Sequence, residues 1–152
     1  MFRFRPLSLD DARTILSWRY PEPYDFYDAA SDPEDASLLL SEEYRQGRLF
    51  AAHDDQAILR GFFEFKLQAG VLEVGLGLRP QDTGQGLGAA FLDEGLAFGR
   101  ETFHPCTFQL YVAAFNERAI KVYARRGFRE VGRQTRQLLG RDREFIEMRR
   151  PA

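Results

Sequence analysis

A chain of 152 residues, 44% apolar and 29% charged, has an ordinary globular composition and the length of one domain built on one core. A formal charge of −2 and a pI of about 5.7 argue against a broad basic surface, and so against nucleic acid as the main partner. The single cysteine, Cys106, rules out an intramolecular disulfide and a multi-thiolate metal site, and His53 and His104 lack the spacing of a metal pair, so no metal is expected.

In chain order, Phe2-Arg3-Phe4-Arg5 alternates and reads as a short strand. The opening MFRFRPLSLDD holds no long apolar run of the secretory kind. No stretch approaches the roughly 18 apolar residues of a membrane span. A reduced, cytoplasmic setting without membrane contact is therefore expected. Ser8 with Asp11 three residues on is a helix-start signal, followed by Ala12, Ile15, Leu16 and Trp18 at helical spacing up to Pro21. YPEPYDFYD is aromatic and broken by proline, which predicts an ordered loop. Ser31-Asp32-Pro33-Glu34 reads as a second capping box, and Ala36, Leu39, Leu40 and Tyr44 continue that helix.

Strands are predicted next at 49–52, 57–67 and 71–78, with turns at Asp54-Asp55 and Ala69-Gly70. In the second strand Phe63, Phe65 and Leu67 share one face, and Phe62, Glu64 and Lys66 the other. In the third, Leu72, Val74, Leu76 and Leu78 lie opposite Gly75 and Gly77, a pattern that marks a bulge or a close approach. A helix follows over 87–100, with Gly88, Gly95 and Gly99 on its apolar face. A strand at 107–113 and a helix at 116–126 stopped by Gly127 come after it. Phe128 to Leu138 and Glu144 to Met148 read as a closing antiparallel pair turning at Gly140-Arg141-Asp142. Cys106 is expected to be a small buried hydrophobe. The order predicts a mixed α+β fold: a mostly antiparallel mixed sheet, flanking helices, and one parallel βαβ unit made by 71–78, 87–100 and 107–113.

The stretch TGQGLG, Thr83 to Gly88, opens the middle helix. Backbone N–H groups at a helix start have no intrahelical partner, the helix dipole adds positive potential, and glycine lets a ligand approach. A diphosphate is a suitable occupant. Gly88 is followed by Ala89-Ala90 rather than Lys-Ser/Thr, so nucleotide hydrolysis is unsupported. Gly84-x-Gly86-x-x-Ala89 formally fits a dinucleotide fingerprint. However, Arg79 to Thr83 separate it from its strand, and His104-Pro105-Cys106 stand where the ribose-binding acid is expected.

LGLRPQDTGQGLGAAFL, taken with LYVAAFNERAIKVYARRGF, resembles the GNAT superfamily of acyl-CoA-dependent N-acetyltransferases. The first motif is carried by Leu78, Pro80, Gly86 and Gly88. The second is carried by Asn116, Ala119, Tyr123 and Gly127-Phe128. The resemblance runs nearly end to end and implies a GNAT-like fold over residues 1–152. It departs at Thr83, where the family usually places Arg or Gln; the backbone amides of Gln85, Gly86, Leu87 and Gly88 must then carry most of the diphosphate contact.

The resemblance implies direct transfer of an acetyl group from acetyl-CoA to an amine, without an acyl-enzyme. Thr83, Gly84, Gln85, Gly86, Leu87, Gly88, Asn116, Ala119 and Tyr123 would meet the cosubstrate. Backbone near Leu76 and Leu78 would bind the pantetheine arm, with the Leu78 N–H on the carbonyl. Tyr123 is the candidate acid for the thiolate, and Glu64 or Glu73 the candidate base, directly or through a water. Tyr20, Tyr24, Phe26 and Tyr27 are candidates for an acceptor pocket, with Glu22, Asp25 and Asp28 to attract a cationic amine. The acceptor is a small molecule or peptide amine, and the protein a monomer or homodimer. A non-catalytic acyl-CoA sensor is the alternative.

Overall fold

The computed structural model describes residues 1–152. Its hydrogen-bonded strands follow the order β1-β2-β3-β4-β5-β7-β6. They are β1 (Arg3–Pro6), β2 (Leu49–His53), β3 (Leu59–Gln68), β4 (Val71–Leu78), β5 (Thr107–Ala113), β6 (Arg129–Leu138) and β7 (Arg141–Pro151). The helices are α1 (Leu9–Leu16), α2 (Pro33–Leu40), α3 (Glu42–Arg45), α4 (Gly88–Phe103) and α5 (Glu117–Arg125). The fold is the expected mixed α+β arrangement, mostly antiparallel with one parallel pair.

Residues 1–64 and 76–83 form one compact unit. Here β2 pairs antiparallel with β1 (Pro6↔Phe50) and with β3 (Leu49↔Glu64). Ser8 accepts from the Asp11 N–H while Asp11 accepts from the Ser8 N–H, so α1 starts with two otherwise orphaned donors satisfied. Its apolar stripe joins Leu39, Leu49 and Ala51 in a core with Ala12, Ile15 and Trp18. The second helix departs from expectation twice. Pro33 pushes Asp32 into extended backbone, so Asp32 and not Ser31 caps α2, accepting from the Glu34 N–H at 2.9 Å. The helix then breaks at Ser41, which is extended and caps the separate α3. Arg45 is buried at the break, and donates to the Leu7 and Leu39 carbonyls, both at 3.1 Å. These bonds hold α3 against the core and satisfy a carbonyl near the end of α2.

Residues 65–75 and 84–152 form the second unit. β4 runs parallel to β5 (Leu72↔Phe108), β7 pairs antiparallel with β5 (Leu110↔Met148), and β6 pairs with β7. Leu72, Val74, Phe108, Leu110, Val112, Ile146 and Met148 are buried on one face by strand alternation. α4 buries Phe91, Leu92, Gly95, Leu96 and Gly99. A Cβ on Gly99 would stand 2.9 Å from Phe65 Cε1, so this glycine lets helix and sheet approach closely. α4 continues past Arg100 to Phe103 and stops where His104 turns left-handed (φ 51°). The last turn lies at Leu139-Gly140, leaving Arg141 and Asp142 paired in β7. One burial expectation fails: Cys106 is exposed on the link into β5. Leu67, on the face of Phe63 and Phe65, is 48% exposed.

Candidate active site

The glycine stretch enters the second unit at Gly84. Gly84 and Gly86 have φ of +72° and +78°, backbone that L side chains adopt at a cost. α4 begins at Gly88 with Leu87 as its cap residue, and no side chain caps it. Nothing stands within 4 Å of where a Cβ would be on Gly86 or Gly88. The loop is therefore open-faced, and leads into a helix start whose N–H groups keep their positive potential.

A guanidinium lies beside this loop: Arg118 Nη1 is 2.9 Å from the Cβ position of Gly84. Arg118 belongs to the first turn of α5, where Asn116 is the cap and accepts from the Ala119 N–H at 3.3 Å. So Asn116 orients the turn that carries Arg118. Thr83 donates its hydroxyl to the Pro80 carbonyl at 2.8 Å, closing its own 3-10 turn. Tyr123 is half-buried on α5 with its ring edge-on to Phe128, centroids 6.1 Å apart. Glu73 on β4 stands in register with Gln109 on β5.

In the first unit the aromatic loop is anchored to the end of β4. Tyr20 donates its hydroxyl to the Leu78 carbonyl at 2.7 Å, and its N–H reaches Asp28 Oδ1 at 2.8 Å. Burial, then the Asp28 charge, push the Tyr20 phenol well above its ordinary pKa, so it stays a donor. Phe26 is buried and stacks on the exposed Tyr27 at 4.1 Å, while Tyr24 is half-buried. Glu22 and Asp25 are exposed, and Asp28 is committed to Tyr20. Leu76 and Leu78 are half-buried. Beside them Gly77 accommodates the ring of Phe62, which a Cβ would overlap; the close approach foreshadowed by this strand glycine is by a side chain of the same unit.

Glu64 accepts a 2.7 Å hydrogen bond from Tyr44, whose phenol is pushed up by burial and then by that bond. The approach to the glycine stretch is held by Asp82, which is buried and accepts from Arg60 Nε and Arg79 Nε, both at 2.6 Å. Sequence reasoning missed Arg118, Tyr44 and this Asp82 pair of bonds. Arg118 had a local signal, a cation two residues after the capping Asn116. Tyr44 with Glu64 and Arg60 with Asp82 meet across 20 or more positions, while Arg79 reaches Asp82 from three residues before it.

No helix is long and apolar enough to cross a membrane. No group of three or more His, Cys, Asp or Glu gathers to hold a metal ion. The profile of the acetyltransferase (GNAT) domain family matches residues 2–129. No curated protein matches the chain. Several solved structures share its fold. A chimera of the spermidine N-acetyltransferase SpeG from Vibrio cholerae and hSSAT aligns with a TM-score of 0.80 at 21% identity, covering 97% of this chain and 93% of its own. A mutant form of the spermidine/spermine N-acetyltransferase SpeG from Vibrio cholerae aligns at 0.76 and 20% identity, covering 99% and 95%. A putative phosphinothricin N-acetyltransferase aligns at 0.72 and 17% identity, covering 99% and 98%.

Proposed function

The chain belongs to the GNAT acetyltransferase family, and from that premise we propose that it transfers an acetyl group from acetyl-CoA to a primary amine by direct attack. The observation that carries this reading is the open glycine loop at an uncapped helix start with the Arg118 guanidinium against Gly84. Backbone donors and an adjacent cation suit a diphosphate. In this reading Arg118 supplies the charge that Thr83 lacks, and Thr83, Gly84, Gln85, Gly86, Leu87 and Gly88 line the phosphates. Asn116 and Ala119 hold the turn that presents Arg118.

Acetyl-CoA, when bound, supplies an acyl group activated as a thioester. The chain's own residues do the rest. The main chain of Leu76 and Leu78 binds the pantetheine arm, and the Leu78 N–H polarises the carbonyl. Tyr20, by bonding the Leu78 carbonyl, fixes the strand end that carries this donor. Glu64, oriented by Tyr44, takes the amine proton directly or through one water, so that a neutral nitrogen attacks. The new C–N bond forms, the acylated nitrogen gives its remaining extra proton to water, and the C–S bond breaks. The Tyr123 hydroxyl gives its proton to the departing sulfur and recovers one from solvent.

The test is release of free thiol from acetyl-CoA against a panel of amines, with acetylated product identified by mass. Thiol released in step with product supports the reading. Tight CoA binding without turnover on any amine points to a sensor instead, and preference for NAD over CoA overturns both.

A further inference from the structure

We propose that Glu73, Gln109, Tyr111 and Glu147 form a subsite for an alkylammonium group of the acceptor. All four lie in the second unit. Glu73 and Gln109 are register partners across β4 and β5, and Tyr111 and Glu147 are partners across β5 and β7. Their strand neighbours Leu72, Val74, Phe108, Leu110, Ile146 and Met148 are buried on the other face, so alternation puts the four polar groups together.

The hydrogen bonds inside the group run in one direction. Gln109 Nε2 donates to the Tyr111 hydroxyl at 3.0 Å, and that hydroxyl donates to Glu147 Oε1 at 3.0 Å. Gln109 is only 7% exposed, and this direction leaves its Oε1 buried with no donor. A buried carbonyl oxygen without a donor is rare and calls for an explanation. Its register partner, Glu73, is a carboxylate and offers only acceptors. Burial, then the bond and charge of Glu147, then the charge of Glu73, push the Tyr111 phenol up, which keeps it the relay between amide and carboxylate.

Two arginines border the group, and neither reaches the Gln109 oxygen. Arg136 lies over the Tyr111 ring at 4.6 Å and gives its Nε to Gln134. Arg149, the register partner of Gln109, forms an ion pair with Glu147, its Nε 3.6 Å from Glu147 Oε2 and beyond hydrogen-bond length. The amide oxygen and the two carboxylates offer acceptors only; Glu147 has Arg149 and the Tyr111 hydroxyl as partners, and the Gln109 oxygen has none. An ammonium carries three donors and no acceptor, which complements that set. The subsite rests on the acetyl-transfer reading for its role: the acceptor then bears a charged amine besides the neutral one that is acylated, as a diamine does.

The probes are 1,4-diaminobutane and butylamine, which differ by one ammonium. Wild-type protein should show kcat/KM at least tenfold higher for the diamine. Glu147→Gln and Glu73→Gln should each raise the diamine KM about tenfold while leaving the acetyl-CoA KM in place, an internal check that the variants are folded. Equal kcat/KM for the two probes in the wild type, or an unchanged diamine KM in both variants, overturns the subsite. Calorimetry with 1,4-diaminobutane alone separates this from the reaction. Binding that weakens in Glu147→Gln without turnover on any amine keeps the subsite and removes acetyl transfer. Turnover of butylamine with no extra binding of the diamine does the reverse.

Discussion

The Nη1 atom of Arg118 stands 2.9 Å from the position a Cβ would take on Gly84. A loop residue with φ of +72° and a helix-turn cation 34 positions later are thus fitted to each other. Gly84→Ala would displace the guanidinium and add about 1–2 kcal/mol of left-handed strain. In the proposed site, Arg118→Ala removes a charge-assisted contact to the diphosphate of about 1.5–3 kcal/mol, so the Kd for CoA should rise roughly ten- to a hundredfold. Titration calorimetry at two salt concentrations checks this. The wild-type affinity should fall with salt, and the variant's should fall less.

Tyr20→Phe deletes the hydroxyl that binds the Leu78 carbonyl. Stability should drop by about 0.5–1.5 kcal/mol in chemical denaturation. If the strand end matters to the reaction, kcat falls as well while the acetyl-CoA KM holds.

Tyr123→Phe should lower kcat where the leaving thiolate needs a proton, and flatten the alkaline limb of the kcat profile. Unchanged turnover at every pH removes Tyr123 as the acid.

Gly99→Ala places a methyl group 2.9 Å from Phe65 Cε1 and 3.1 Å from Leu72 Cδ2, both in the core. Overpacking costs about 1–3 kcal/mol and the gain in helix propensity returns up to about 1. A net loss should lower Tm by roughly 2–4 °C per kcal/mol.

Asp82 carries a pH signature. Burial alone raises its pKa, but hydrogen bonds from Arg79 and Arg60 outweigh this and hold it below its ordinary value of 3.8. A depressed folded pKa adds stability that is complete above the unfolded value and is lost as pH falls through the folded one. The stability difference between wild type and Asp82→Asn should therefore be constant above about pH 5 and shrink below pH 3.8. Denaturant melts from pH 6 to pH 2 measure it, and a constant difference down to pH 2 refutes the assignment.

Much of the element order was legible because local signals agreed with one another. Ser8 with Asp11, the alternation of 71–78, and Asn116 before an amphipathic run each act within a few residues. The break at Ser41 was not legible. The apolar pattern runs from Ala36 to Tyr44 without interruption, yet Ser41 is extended and caps a new helix, where buried Arg45 binds carbonyls of Leu7 and Leu39. Cys106 was misjudged for a related reason. Its residue type predicts burial, but exposure depends on what covers the link into β5. At the candidate site the glycines and Asn116 were visible as motif. The partners Tyr44 for Glu64 and Tyr111 for Glu147 arise from strand and helix placement, which no short window contains.

By itself, the sequence determined the family, the βαβ unit and the position of the glycine loop, since backbone freedom, capping and hydrophobic period are properties of neighbouring residues. Only the tertiary structure decided which charges serve that framework. It set Arg118 against Gly84, clamped Asp82 between Arg60 and Arg79, and left Gln109 Oε1 without a donor beside Glu73. Coulomb and hydrogen-bond partners act over a few ångströms in space, and most of these partners, Arg79 with Asp82 excepted, come from positions that are tens of residues apart.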